Sequence, residues 1–162
     1  MASAAGVGVD LVDVHEIEAS LAAFGARFAQ RLFTAGERAE AQRAPSPSAA
    51  PPACAAAGFD ATRLATRFAA KEAALKALGL ADAGIDWREI EVEGGGESAP
   101  RLRLHGRAAA LAAARGVIDL AVSLSHQGPL ACAVVVALRA APRPAAVPVP
   151  VFSDSPAERP SA

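Results

Sequence analysis

Residues 62–78 read TRLATRFAAKEAALKAL, which is the longest helical pattern in the chain. Large apolar residues recur at helical spacing along one side, at Leu64, Phe68 and Leu75, and Gly79 follows as a stop signal. The stretch therefore predicts one long helix, with its first threonine as the N-cap. Six of its seventeen residues are alanines, and such small side chains allow a helix to approach another surface closely.

Four charged side chains lie in the middle of this helix. Arg67 and Lys71 are four residues apart and align along the helix, and Glu72 and Lys76 share a second face. Adjacent residues such as Lys71 and Glu72 point about 100° apart. The simplest alternative is a solvated helix face carrying a Glu–Lys pair worth about 0.2–0.5 kcal/mol.

Strand and helix patterns surround the long helix. The apolar residues of 7–12 mark a strand near the start of the chain, directly before the first of the shorter helices. Further strands are predicted at 88–93, 101–105, 117–124 and 130–138, and further helices at 13–23, 34–42 and 107–115. In the helix at 34–42, Thr34 and Glu37 are placed as a capping box. The whole is an α+β fold, with a mostly antiparallel sheet packed against the long helix.

Length and composition fit one domain. The chain has 162 residues, of which 52% are hydrophobic and 20% charged. Residues 44–57 and 140–162 are rich in proline and alanine and lack lasting periodicity, so we expect a domain at 1–139 with a flexible insertion at 44–57. The segment 140–162 is expected to be a disordered, Pro-rich tail.

Charge and cysteine content exclude several functions. The net charge is −1, so the total gives no argument for binding nucleic acid or an anionic membrane. Cys54 and Cys132 have no metal-ligand spacing, which favours a reducing cytoplasm over a disulfide framework. The first residues make a poor signal peptide, and no run approaches the roughly 20 apolar residues of a membrane span.

Two further motifs could carry chemistry. GVGVD at 6–10 is a glycine-punctuated strand that ends on an acid, but it lacks the third glycine of a dinucleotide-binding turn. Asp10 could equally begin a turn or cap the next helix. SLSH at 123–126 ends a strand, and it lacks the glycines of a nucleophile elbow. His126 could simply form a hydrogen bond with a loop.

The acids and bases together suggest a metal ion and phosphates. Asp10 and Glu72 have no His or Cys beside them, and magnesium favours one or two carboxylates plus waters and substrate phosphates. The lysines and Arg67 supply positive charge for those phosphates. The set is consistent with phosphate-ester chemistry, although the residues alone do not name a reaction.

Three segments in order resemble the signature blocks of the holo-acyl-carrier-protein synthase family. They are GVGVD at 6–10, RFAAKEAALKA at 67–77 and SLSH at 123–126. The resemblance covers nearly all of 6–138 and implies a 4′-phosphopantetheinyl transferase-like fold. By position, it implies that Asp10 and Glu72 are the catalytic magnesium ligands, that Lys76 is a catalytic residue near the reacting phosphates, and that Arg67, Lys71, Ser125 and His126 lie at the coenzyme A pocket.

The activity that the resemblance implies is a group transfer. A serine of an apo acyl carrier protein attacks the β-phosphate of coenzyme A, with magnesium bound, and adenosine 3′,5′-bisphosphate leaves. The proton acceptor is either Glu72 or a metal-bound water. The short chain resembles the class that forms homotrimers with sites at subunit interfaces.

The sequence departs from the family pattern in its first helix. Glu16 stands where an arginine is often found, which opposes binding of an acidic carrier, although Arg27, Arg31 and Arg38 could compensate. The carrier is therefore as open to a polyketide type as to the fatty-acid type. Two other functions remain as alternatives: a catalytically silent scaffold that binds coenzyme A or a carrier, and, more remotely, a nucleotide-binding hydrolase.

Overall fold

The structure is a computed structural model, and it describes residues 2–42, 58–95 and 98–140. The flexible insertion expected at 44–57 lies outside the described residues, as does the expected tail apart from Ala140, which ends the last strand. In chain order the elements are β1 (Ala2–Asp13), α1 (Val14–Phe24), α2 (Ala26–Leu32), α3 (Ala35–Gln42), α4 (Ala61–Leu78), a 3-10 helix (Trp87–Glu89), β2 (Ile90–Glu93), β3 (Arg101–Leu104), α5 (Gly106–Ala114), β4 (Val117–Gln127) and β5 (Leu130–Ala140).

The strands form two antiparallel sheets, which confirms the α+β prediction. One has three strands in the order β1-β5-β4, and the other is the pair β2-β3. The long helix α4 packs on one face of the larger sheet, mainly against β1 and β5. The core around it is built largely from alanine, leucine and valine side chains, as expected for a sequence with few aromatic residues.

Local signals explain where the helices begin and end. Asp13 caps α1 by accepting from the backbone N–H of His15 at 2.9 Å. In α3 the predicted capping box is present, with the Thr34 N–H donating to the Glu37 carboxylate at 2.9 Å and the Glu37 N–H donating to the Thr34 hydroxyl at 3.2 Å. Gly79 ends α4 in a left-handed conformation, with φ at 66°.

Three details of the sequence prediction were wrong. The N-cap of α4 is Asp60, which accepts from the Arg63 N–H at 3.1 Å, and Thr62 already lies inside the helix. The predicted strand at 88–93 begins as the 3-10 helix. The helix α2 was not predicted, because it is only seven residues long and its N-cap has no side-chain hydrogen bond.

No helix in the described part of the chain combines the length and apolar character needed to cross a bilayer.

Candidate active site

The site begins where α4 crosses β1 at two glycines. A Cβ atom on Gly8 would lie 1.9 Å from the carbonyl oxygen of Ala73, and one on Gly6 would lie 2.1 Å from that of Ala77. Real Cβ atoms never come so close to a backbone oxygen, so only glycine permits this contact. The strand and the helix therefore approach backbone to backbone.

This close approach brings Asp10 next to the polar side of α4. Asp10 lies two residues beyond Gly8, so its side chain points to the same face of the sheet as the two glycines. The Lys76 ammonium donates to the Asp10 carboxylate at 2.7 Å and to the backbone carbonyl of Val9 at 3.1 Å. The sequence pattern allowed Lys76 to pair with Glu72 along the helix. In the structure, Lys76 instead forms its hydrogen bonds with Asp10 and Val9 of β1.

Glu72 completes this group of charges. Its carboxyl is half-buried, and burial, followed by the negative charge of Asp10, raises its pKa above the usual value, while the Lys76 charge opposes that rise. The hydrogen bond to Asp10 raises the pKa of Lys76. The hydrogen bond from Lys76 to Asp10 and the effect of the Asp10 charge on Glu72 join the three side chains in one charged group where α4 crosses β1.

Lys71 does not face this site. Its side chain is fully buried, and its ammonium donates to the Glu37 carboxylate at 2.9 Å, to the Trp87 carbonyl at 2.9 Å and to the Ile90 carbonyl. An ammonium has three hydrogens, so these three acceptors use all of them. In this structure Lys71 has no donor left for a ligand.

Arg67 is also almost fully buried. Its guanidinium donates to the carbonyl of Arg63 at 3.2 Å and to the carbonyl of Gly94, in the loop after β2, at 3.0 Å. The Nε atom is buried and has no hydrogen-bond partner in the described part of the chain. Arg67 thus ties α4 to the β2 end of the smaller sheet.

Ser125 and His126 lie at the far end of β4, and both are exposed. The register pairs Ser125 with Cys132 of β5, which in turn pairs with Leu11 of β1. Residues opposite each other across antiparallel strands share a face, so Ser125 lies on the face opposite Asp10. Within one chain the structure does not bring Ser125 to the acidic site, whereas the register places His126 on the same face as Asp10, separated from it by β5.

Sequence reasoning missed Glu37 as the partner of Lys71. Glu37 was assigned only to the capping box, but its second carboxylate oxygen accepts from the backbone N–H of Val92 at 3.0 Å, and the whole side chain is buried. A signal existed in the Ala-rich surroundings of Lys71, which predict a buried position. The identity of the partner is not encoded locally, because 34 residues separate the pair.

Comparisons with known proteins agree with this architecture. The profile of the 4′-phosphopantetheinyl transferase superfamily matches residues 6–135. A holo-[acyl-carrier-protein] synthase of Paramagnetospirillum magneticum is 46% identical over 135 residues, which cover 81% of this chain and 93% of that protein.

Solved structures of the same group share the fold. The crystal structure of a holo-[acyl-carrier-protein] synthase from Neisseria meningitidis superimposes with a TM-score of 0.67 at 29% identity, covering 83% of this chain and 98% of that one. The coenzyme A complex of the synthase from Chronobacterium ammoniagenes gives a TM-score of 0.62 at 32% identity, covering 83% of this chain and 96% of that one.

The chain belongs to the 4′-phosphopantetheinyl transferase superfamily. Within it, the chain is an enzyme of the holo-[acyl-carrier-protein] synthase type.

Proposed function

We propose that this enzyme transfers the 4′-phosphopantetheine group of coenzyme A to a serine of an apo acyl carrier protein with the help of magnesium. The observation that supports the proposal best is the convergence of Asp10, Glu72 and Lys76 where α4 crosses β1. Two acids and a lysine on one open surface suit a cation that binds a pyrophosphate. The relatives carry the synthase name, and one of them binds coenzyme A.

The donor set fits magnesium. No group of three or more His, Cys, Asp or Glu side chains able to hold a metal ion occurs among residues 2–42, 58–95 and 98–140. Magnesium does not need such a group, because it commonly binds one or two carboxylates and fills its other positions with water and substrate phosphate oxygens. Asp10 and Glu72 would supply those two carboxylates. When bound, the ion would neutralise charge on the pyrophosphate.

The protein residues then have separate roles in the transfer. The serine hydroxyl oxygen forms a bond to the β-phosphorus, and the bond from that phosphorus to the bridging oxygen breaks. The hydroxyl proton passes to Glu72, directly or through a water molecule, because the other carboxylate of the site, that of Asp10, is paired with Lys76. Lys76 stabilises the negative charge on the departing adenosine 3′,5′-bisphosphate.

The other predicted coenzyme A residues divide into two groups. We propose that Lys71 and Arg67 shape the pocket from inside without touching the ligand, since both are buried and bonded to protein acceptors. Ser125 and His126 are exposed and remain free to bind coenzyme A. For Ser125 that ligand would be bound by a neighbouring chain, because its face of the sheet is opposite Asp10.

An apolar sheet face supports a homotrimer. On the face of the larger sheet opposite α4, Val7 and Leu11 are each 64% exposed and Val9 is 53% exposed. Val134 of β5 extends the same apolar surface. A row of exposed aliphatic side chains along a strand marks an interaction site, and we propose that copies of this chain cover it. The cytoplasmic location expected from the sequence stays a prediction.

The carrier preference follows from charges on the first two helices. Glu16 is exposed on α1, and the His15 ring pairs with Glu18 at 3.0 Å, so the start of α1 is mainly acidic. Arg27 and Arg31 are exposed on α2. We propose that an acidic carrier is held by the α2 arginines, and that carriers of the fatty-acid and polyketide types differ in how well they tolerate the acidic α1.

A transfer assay tests the function directly. The protein is incubated with coenzyme A, magnesium and a panel of apo carriers of both types, and intact-mass spectrometry follows the gain of a phosphopantetheine on the carrier. We expect at least one carrier to be modified, and only with magnesium. No modification of any carrier, or transfer that persists in excess chelator, would refute the proposal.

Variants test the site. Asp10→Asn and Glu72→Gln keep the side-chain volume and should each lower kcat/KM by about a hundred-fold or more, because each removes a magnesium ligand. Asp82→Asn is the matched control, since Asp82 is an exposed acid just beyond α4, and it should keep normal activity. Near-normal transfer by either site variant would overturn the ligand assignment.

A further inference from the structure

The contact where α4 crosses β1 involves only small side chains. It is formed by Gly6 and Gly8 on the strand and by Ala73 and Ala77 on the helix. Interlocking of large side chains normally fixes how a helix sits on its neighbour. Glycine and alanine have no side-chain rotamers to interlock, so this contact fixes the distance between the two elements better than it fixes the rotation of α4 about its own axis.

The catalytic geometry depends on that rotation. A side-chain tip lies about 5–6 Å from the axis of a helix, so a rotation of roughly 20° moves it by about 2 Å. Magnesium requires ligand oxygens near 2.0–2.1 Å in close to ideal octahedral geometry. A small rotation of α4 would therefore separate Glu72 from a metal ion held by Asp10.

One fully buried ion pair joins α4 to the elements on its other side. Lys71, directly before Glu72, binds Glu37 of α3 together with carbonyls of the 3-10 helix and of β2. Its ammonium also lies 5.6 Å from the centre of the Phe33 ring. Burial lowers the pKa of Lys71 and the Glu37 charge opposes that effect.

Glu37 is itself held from two further sides. Its carboxylate accepts the backbone N–H of Thr34 at 2.9 Å and the backbone N–H of Val92 at 3.0 Å. Glu37 is therefore fixed to the start of α3 and to β2 at once. Any rotation of α4 that carried Lys71 with it would break hydrogen bonds in a region closed to water, where lost bonds are costly.

We infer that Lys71 and Glu37 are positioning residues for the transfer reaction, which set the rotation of α4 and so hold Glu72 at the correct distance from Asp10. This inference rests on the proposed function. It explains why α4 carries a fully buried charge one residue away from a site acid. A buried ion pair adds little net stability compared with apolar residues of similar size, and its best-attested role is to specify one arrangement.

The test removes the pair while keeping the volume of both side chains. The double variant Glu37→Gln with Lys71→Met is compared with the wild type by thermal melting, by Mn²⁺ titration followed by electron paramagnetic resonance, and by the transfer assay. We expect a folded protein whose melting temperature is lowered by the lost Lys71 hydrogen bonds, a dissociation constant for Mn²⁺ raised about ten-fold or more, and a reduced kcat. An unchanged Mn²⁺ affinity in the folded double variant would overturn the inference.

Controls separate this inference from general damage and from the site assignment. Leu80→Ala removes a buried side chain that follows α4, and it should lower the melting temperature while leaving Mn²⁺ binding unchanged. Asp10→Asn should abolish Mn²⁺ binding, and if it does not, the proposed site fails as well. If the double variant does not fold, Glu37→Gln alone is measured, and it must weaken Mn²⁺ binding for the inference to survive.

Discussion

The metal-ligand role proposed for Glu72 comes at a cost to the stability of the folded protein. Because burial and the Asp10 charge raise its pKa in the folded protein, ionising this group costs more in the folded than in the unfolded state. Glu72→Gln should therefore raise the melting temperature of the metal-free protein at pH 7–8. The gain should shrink as the pH falls through the raised pKa and vanish below the ordinary value of 4.5.

Differential scanning fluorimetry in excess chelator, repeated from pH 4 to pH 8, measures this effect. Asp82→Asn provides the baseline, because Asp82 is an exposed acid with no partner among the interactions described above. A Glu72→Gln variant that is less stable than the wild type at pH 8 would show that Lys76, rather than Asp10, dominates the environment of the carboxylate.

The two lysines show what a residue pattern can and cannot predict. Lys71 and Lys76 lie five residues apart on one helix and look alike in the sequence. The structure buries Lys71 completely, while Lys76 stays 48% exposed beside Asp10. Residue type indicates chemistry, so acids and bases could be proposed as site residues from the sequence. Burial depends on carbonyls and a carboxylate from distant segments, which local spacing does not reveal.

At the scale of elements, the close contact of α4 with β1 brings Lys76 to Asp10. Gly8→Ala places a methyl group 1.9 Å from the Ala73 carbonyl oxygen and 2.7 Å from the Ala77 nitrogen. Since backbone cannot move aside as a side chain can, the helix must shift outward. We expect a loss of about 1–3 kcal/mol or more in the free energy of unfolding, and a much larger loss of transfer activity.

Gly79→Ala is the matched control for this prediction. Gly79 has a positive φ of 66°, but a Cβ atom there would meet nothing within 4 Å. The cost is then only that of a left-handed alanine, about 1–2 kcal/mol, and Mn²⁺ affinity should be preserved. Urea unfolding and Mn²⁺ titration distinguish the two variants, and equal Mn²⁺ affinity in both would show that the close approach does not set the site.

Elements whose signals are local were predictable from the sequence. The capping box of Thr34 and Glu37 spans four residues, and the box and the helix after it appear as expected. The cap of α4 was less predictable, because Asp60 and Thr62 are both good N-cap residues two positions apart. The order β1-β5-β4 depends on which apolar strands meet over the whole chain, so sequence spacing predicted antiparallel strands but not their order.

At the scale of the whole molecule, the larger sheet exposes an apolar face on the side away from α4. Val7, Val9 and Leu11 point away from α4, so burying them would add nothing to the core of one chain. In the proposed homotrimer, copies of this chain would cover this face, on which the exposed Ser125 also lies. The proposed assembly and the proposed activity are therefore linked, because a lone chain would have the acids without the neighbour's contribution.

Val9→Asp tests that link. A carboxylate in the middle of an apolar interface leaves a charge without a partner when the copies meet, and such a burial is strongly unfavourable. We expect light scattering to show a trimer for the wild type and a folded monomer for the variant, with transfer activity lost. Phe24→Asp changes another exposed apolar residue, on α1 and away from the sheet, and should leave the assembly intact. A Val9→Asp monomer with full activity would show that one chain is sufficient for the reaction.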